Sequence, residues 1–135
     1  YSGVAANLQY AYAISGKSTL TLAYIRALEA YQQLTTSYYV LDDVALSAQW
    51  LATSKVTVNG LLGYGRQDYL GAIVPLPAGV PQREDKTARL AVDVAYQAAR
   101  WLQFKAGVTL QKRDSNYEAY EYRDRTAFVS ATLQY

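Results

Sequence analysis

Apolar residues recur at every second position through seven segments of this chain, and the last ten residues, TAFVSATLQY, show the pattern most plainly. The alternating apolar positions there are Ala127, Val129, Ala131, Leu133 and Tyr135, and the residues between them are polar except for Phe128. Successive side chains of a β-strand point to opposite faces, so this period predicts a strand with one apolar and one polar face. The other six segments alternate in the same way, and the sequence therefore predicts an all-β chain.

The connections between the segments alternate between short and long. In an antiparallel up-and-down sheet, successive connections lie at opposite ends of the strands, so the short turns share one rim and the long loops share the other. That arrangement is typical of bacterial outer-membrane barrels. We predict one barrel segment over residues 1–135, with short turns near 15–18, 52–55 and 97–100 and long outer loops near 30–39, 70–86 and 113–122.

The distribution of charge separates a membrane barrel from the alternative, a soluble β-sandwich. The apolar face carries no charge in the middle of any predicted strand, and its charged residues, Arg26, Asp42, Arg66 and Lys112, all fall at the long-loop end. A cation that faces lipid at the bilayer midplane costs about 2–4 kcal/mol, and much less near the interface. The sequence therefore predicts an antiparallel up-and-down transmembrane β-barrel in a bacterial outer membrane.

Aromatic residues near the ends of the predicted strands fit the same interpretation. The chain has 14 tyrosines and 2 phenylalanines, a bias toward rings that suit a boundary between water and a dry phase. Four aromatic residues of the apolar face are predicted to lie at the lipid interface: Trp50, Tyr64, Tyr96 and Tyr135. The aromatic C-terminus also resembles the signal that the barrel assembly machinery reads during biogenesis, which makes that machinery an expected partner.

The predicted strand number is odd, whereas single-chain bacterial barrels have an even number of strands. An open sheet would also leave backbone groups unpaired in lipid. We therefore expect this chain to be the C-terminal part of a larger barrel, completed by upstream strands or by other subunits. The chain begins at Tyr1 and has no methionine, so a targeting segment is also expected upstream.

Composition argues against several classes of function. A net charge of +2 without a basic run gives no stripe for nucleic acid. Without histidine or cysteine, the usual general base and thiolate are missing, so neither catalytic residues nor a cofactor is predicted. The acidic residues Asp42, Asp43, Asp114, Glu118 and Glu121 could offer oxygen ligands to Ca²⁺, but their spacing is irregular, so no metal site is predicted. These charges are expected to pair with neighbouring arginines or with lipopolysaccharide.

The polar face of the predicted barrel would line a water-filled pore. One interpretation of its charged and amide side chains is that they set solute selectivity. The other is that they form a ladder of charges and hydrogen bonds that holds adjacent strands together. The residues concerned are Asn7, Asn59, Arg89, Asp93, Gln103, Lys105 and Gln111.

Tyrosines crowd the predicted long loops. Sugar rings stack on aromatic faces, so a polysaccharide is a candidate partner of these loops, with aromatics at the lipid interface as the alternative reading. The candidate sugar contacts are Tyr38, Tyr39, Tyr117 and Tyr120.

Several motifs carry a resemblance to a known family. They are the Arg-Glu-Asp before the fifth strand, the turn that contains Tyr96, Arg100, Trp101 and Leu102, the KRDSN that closes the sixth strand, and the aromatic terminus. From YYVLDDVALSAQW to the end of the chain, the sequence resembles the exopolysaccharide-associated, exosortase-linked EpsL-like outer-membrane proteins of the β-barrel porin group. The resemblance implies a role in synthesis or export of a secreted polysaccharide and supplies no catalytic residues. Members of that family are several times longer.

Three functions follow as hypotheses. The main one is a porin-like outer-membrane channel for export or passage of exopolysaccharide or another hydrophilic solute. The second is a non-conducting outer-membrane scaffold or adhesin whose tyrosine-rich loops bind a polymer or a partner protein. The third is a soluble binder of lipid or another ligand. Conductance separates the first two, and a requirement for detergent separates the third.

Overall fold

The structure of this chain, a computed structural model, describes residues 4–33, 36–71 and 79–133. Each strand pairs antiparallel with the next one along the chain, so spatial order and sequence order are the same. This confirms the prediction of an all-β, up-and-down antiparallel fold. The strands are β1 (Ala6–Ser15), β2 (Ser18–Gln33), β3 (Thr36–Leu51), β4 (Val56–Leu70), β5 (Glu84–Ala99), β6 (Leu102–Ser115) and β7 (Tyr122–Leu133), with a 3-10 turn at Glu118–Tyr120.

The strand register sorts the side chains onto two faces that we call the polar face and the apolar face. Odd-numbered residues of β1–β6 and even-numbered residues of β7 lie on the polar face, and the alternate positions lie on the apolar face. One row shows how regular the apolar face is. Five leucines lie directly opposite one another on five consecutive strands: Leu22, Leu46, Leu62, Leu90 and Leu110.

The apolar face is exposed rather than packed into a core. The five leucines of that row are between 41% and 59% exposed, and among the described residues the only buried hydrophobic side chain is Tyr69, at 5%. A contiguous apolar surface of this extent marks a face that contacts something other than water. The described residues contain no helix long and apolar enough to span a membrane.

The strands at the long-loop end extend further than the sequence pattern indicates. The expected loop near 30–39 is mostly strand, because β2 runs to Gln33 and β3 begins at Thr36. Aromatic and β-branched residues favour the strand here: Tyr38 pairs with Ala30 and Val40 pairs with Leu28. That predicted loop is therefore wrong in extent.

The remaining connections have these bounds. At the short-turn end, residues 16–17, 52–55 and 100–101 join the strands. At the long-loop end, residues 71–83 join β4 to β5, of which 72–78 lie outside the described residues, and residues 116–121 join β6 to β7. Within the described residues, β1 and β7 form the two edges of an open sheet.

Candidate functional site

The polar face brings together most of the residues predicted to line a pore. All seven lie on that face, and five of them contact another polar side chain. Asn7 and Gln103 have no side-chain hydrogen bond within the part of the chain that the structure describes. The contacting residues are Asn59, Arg89, Asp93, Lys105 and Gln111.

A row of polar contacts centred on Asp93 crosses four strands in the middle of the sheet. The Asn59 side chain donates a hydrogen bond of 2.7 Å to one Asp93 oxygen, and the Lys105 ammonium lies 3.3 Å from the other. Gln49 of β3 continues the row with a long contact of 3.5 Å to Asn59. The row therefore joins β3 to β6 with side chains, in addition to the backbone ladder.

A second contact joins β5 directly to β3 across the intervening strand. The Arg89 guanidinium lies 2.5 and 2.7 Å from the two carboxylate oxygens of Asp43. Glycines of β4 leave the space for this crossing. A Cβ atom at Gly63 would lie 3.0 Å from Arg89 Nε, and one at Gly65 would lie 2.7 Å from Asp43 Oδ1.

Asp43, like Gln49, is a polar-face residue that was not among the predicted pore residues. The pairing of Asp43 with Arg89 was the less predictable of the two contacts. The position of Asp43 on that face follows from the alternation of β3, but its partner lies two strands away. The available signal was the pair Gly63 and Gly65, because glycine in a strand often marks a place where another group must approach closely.

The charges in the middle of the polar face balance one another. Arg89 and Lys105 are offset by Asp43 and Asp93, and each pair is partly exposed. A concave region of about 390 Å³ lies beside the Asp93 row, bordered by Thr19, Thr21, Ser47 and Gln49 among others. This face can therefore offer hydroxyls, amides and paired charges to a hydrophilic solute, without a strong net field.

A cluster around the buried Asp85, which we call the outer clamp, lies at the long-loop end of the polar face. It consists of Tyr69, Arg83, Asp85, Ser115 and Tyr120. The Arg83 guanidinium lies over two rings, 4.1 Å from the centroid of Tyr69 and 3.4 Å from that of Tyr120. The Asp85 side chain is 0% exposed; it pairs with Arg83 and accepts a hydrogen bond of 2.6 Å from Ser115 Oγ. The clamp thus ties both long connections to the sheet.

The Asp85 carboxyl group lies at the long-loop end of β5, outside the apolar stretch of that strand. The other residues of the outer clamp determine its pKa. Burial acts to raise its pKa, but hydrogen bonds from Arg83 and Ser115, with the charges of Arg83 and Arg113, outweigh burial and hold the pKa below its usual range. A lowered pKa in the folded state means that the carboxylate stabilises the fold fully above its ordinary pKa.

We therefore expect the outer clamp to loosen in acid. Its contribution should be complete above about pH 4, the ordinary range of an aspartate, and should be lost as the pH falls through the lowered pKa of Asp85. Protease cleavage of the connection 116–121 after incubation at graded pH measures this. Opening that began near neutral pH would contradict the assignment.

The tyrosines predicted to contact sugar have intramolecular neighbours. Tyr117 donates a hydrogen bond of 2.7 Å to the Pro81 carbonyl, and Tyr120 covers Arg83. Tyr39 lies on the polar face, while Tyr38 lies on the apolar face. Contact of these rings with sugar stays a prediction.

Three of the four aromatic residues predicted for the lipid interface lie on the apolar face, and their contact with lipid stays a prediction. Trp50, Tyr64 and Tyr96 are exposed on the apolar face. Trp50 and Tyr96 are near the short-turn end, and Tyr64 is two residues from the charged Arg66. Tyr135 lies outside the described residues.

Within the described ranges, no group of three or more acidic, histidine or cysteine side chains could hold a metal ion.

The crossing of Arg89 over β4 leads to a test with a matched control. Gly63→Val should displace the guanidinium from Asp43 and cost up to about 1 kcal/mol of unfolding free energy, the range for a partly exposed ion pair. Gly60→Val, on the same strand, faces open space on the apolar side and should not destabilise. Urea unfolding in lipid vesicles measures both, and equal effects would contradict the role assigned to Gly63.

Comparison with known proteins agrees with this geometry. The model of the family described as Putative beta-barrel porin 2 matches residues 1–135, the whole chain. Neither the comparison with curated proteins nor that with solved structures returned a match. An open, antiparallel, up-and-down sheet with one apolar and one polar face is the wall of such a barrel. The chain therefore belongs to the beta-barrel porin 2 family of membrane proteins.

Proposed function

We propose that the protein is a porin-like channel of the bacterial outer membrane, whose polar face lines a passage for a hydrophilic solute. The observation that carries this proposal is the segregation of the two faces. The charged pairs in the middle of β3, β5 and β6 lie on the polar face, while the opposite face exposes a row of leucines across five strands. The family indicates a channel rather than an enzyme.

The proposal includes strands beyond the seven described here. The edges formed by β1 and β7 would leave backbone N–H and C=O groups unpaired in lipid, which costs several kcal/mol for each group. Strands of the same polypeptide or of another subunit would pair with these edges and close the barrel around the polar face.

A polyhydroxylated solute suits this face better than a strongly charged one. The charges of Arg89, Lys105, Asp43 and Asp93 are paired, so what remains for a solute is a set of hydroxyl and amide groups. Exopolysaccharide export, which the resemblance to EpsL-like proteins implies, is the specific form of the proposal. Water would fill the passage between solute molecules, and the residues of the outer clamp would hold the loops at its mouth.

Single-channel conductance in planar bilayers tests this function. The full-length protein should give steady ohmic steps, and the polysaccharide should reduce them when it is added on the loop side. A neutral dextran too large to enter should leave them unchanged. A protein that inserts but never conducts would refute the channel and favour the scaffold or adhesin, and a protein that remains in solution without detergent would refute both.

The ion selectivity of the open channel gives a sharper prediction. Asp93→Asn should leave Lys105 without its carboxylate and shift the reversal potential in a salt gradient toward anion selectivity. Asp68→Asn is the matched control, because Asp68 lies at the long-loop end of the apolar face beside Arg66. A shift of equal size in both variants would contradict a pore position for Asp93.

A further inference from the structure

We propose that the apolar face carries a binding site for a phosphate-bearing lipid, formed by Lys112, Arg123 and Arg125 above a leucine floor. The inference rests on the proposed function only in that the apolar face must contact the membrane. It assigns a partner to residues outside the passage.

The three cations are neighbours on one face. Lys112 of β6 lies directly opposite Arg123 of β7, and Arg125 follows two residues later on the same face, opposite Leu110. Paired residues of adjacent strands have Cβ atoms about 5 Å apart, and like charges in such positions repel. An anion close to the two arginines would offset this repulsion.

Within the described residues, the protein does not supply that anion to the arginines of β7. Two other cations of the apolar face have carboxylates close by. Arg26 lies 3.0 Å from Asp42, and Arg66 lies 3.1 Å from Glu84. Lys112 pairs with Asp114 at 2.6 Å. Neither Arg123 nor Arg125 has an ion-pair partner within the described ranges, since Asp124 between them points to the polar face.

Apolar residues lie immediately beside these cations. A groove of about 320 Å³ is bordered by Leu62, Leu90 and Leu110 as well as by Lys112, Arg123 and Arg125. Asp124 also borders it, but its carboxylate accepts a hydrogen bond of 3.1 Å from Thr126 and makes no ion pair within the described residues. Acyl chains would pack on the leucines while phosphate oxygens meet the guanidinium groups, which bind such oxygens in bidentate fashion. A groove with both cations and leucines fits an amphiphile, because a free phosphate would contact the cations and leave the leucines uncovered.

The slope of the residue rows moves this groove toward the long-loop end of the sheet, where Arg26 and Arg66 of the same face also lie. Leu22 lies four residues after the first residue of β2, Ser18, whereas Leu110, in the same row, lies eight residues after the first residue of β6, Leu102. Paired residues shift progressively toward one end of the strands in this way because the strands of a barrel are tilted. Arg125 therefore lies further from the short-turn rim than the leucines at the other side of the sheet.

The test measures retention of lipid A, a diphosphorylated glycolipid, by the full-length protein in detergent micelles. Each cation at the membrane surface is expected to raise the affinity for lipid A about fivefold. The double variant Arg123→Gln with Arg125→Gln should therefore bind lipid A about 25-fold more weakly. The matched control pair, Arg26→Gln with Arg66→Gln, should have little effect, because those cations already have carboxylate partners. Dephosphorylated lipid A should bind to the unchanged protein as weakly as lipid A binds to the β7 double variant.

Two results would overturn the inference. Equal retention of lipid A by the β7 variant and the unchanged protein would remove the site, and full competition by inorganic pyrophosphate at the same concentration would reassign it to a free anion. Conductance of the same preparations separates this proposal from the channel. Open channels that retain no lipid A refute the lipid site alone, whereas lipid A bound to a protein that does not conduct refutes the channel alone.

Discussion

Replacement of Val92 with arginine is expected to lower the unfolding free energy of the membrane-inserted protein by about 2–4 kcal/mol. Val92 lies mid-strand in β5 on the apolar face, opposite Gly60 and Val108. Its side chain is exposed, and in a membrane the exposed surroundings are acyl chains. A guanidinium at this position would have to remain charged in hydrocarbon or distort the bilayer to reach water. Urea unfolding of the protein in vesicles measures the loss.

The adjacent residue supplies the control. Ala91 lies at the same level of β5 but on the polar face, opposite Leu61 and Thr109. Ala91→Arg places the same charge next to the concave region beside Asp93, where water is expected, and should cost much less. An equal cost for the two substitutions, or a larger cost for Ala91→Arg, would mean that the apolar face does not contact lipid.

Replacement of Asp85 with asparagine is expected to open the outer clamp, with a loss of about 3–5 kcal/mol in the local stability of the loop end. The carboxylate is fully buried, and its replacement removes the negative charge that pairs with Arg83. The side chain of Ser115 also loses its charged acceptor. Cleavage by chymotrypsin at Tyr117 and Tyr120 should accelerate, while the membrane-crossing strands stay folded.

Asp114 provides the comparison for this experiment. It is the residue before Ser115 in β6, and it pairs with Lys112 on the apolar face, where its side chain is half exposed. Asp114→Asn should therefore change the cleavage rate little, as exposed ion pairs contribute at most about 1 kcal/mol. If the two substitutions accelerated cleavage equally, the buried carboxylate could not be what holds the loops.

The two faces of the sheet could be predicted from the sequence because the pleat of a strand requires alternation. Val92 and Asp93 are adjacent, and no strand can place both on one face. The same rule predicts that Arg89 and Lys105 lie on the polar face, because each is flanked along its strand by residues of the apolar face.

Contacts that depend on register could not be predicted in the same way. The Arg89–Asp43 pair joins strands that are not neighbours, so it requires the alignment of three strands and two glycines at the crossing. No feature of the sequence marks Asp85 as buried, because its neighbours come from three separate parts of the chain. Tyr69 belongs to β4, Arg83 to the connection before β5 and Tyr120 to the connection before β7. The extension of β2 and β3 was missed because polar residues such as Gln33 and Thr36 interrupt the alternation, while pairing with the neighbouring strand continues.

A single-cysteine scan of β5 tests the central claim most directly. The chain contains no cysteine, so each position from 88 to 96 can be replaced in turn and spin-labelled in the full-length protein in vesicles. We predict that labels at even positions collide with oxygen dissolved in the bilayer, and that labels at odd positions collide with a water-soluble nickel complex, with a period of two residues. Equal access of the nickel complex to all nine positions, or the opposite phase, would contradict the assignment of one face to lipid and the other to water.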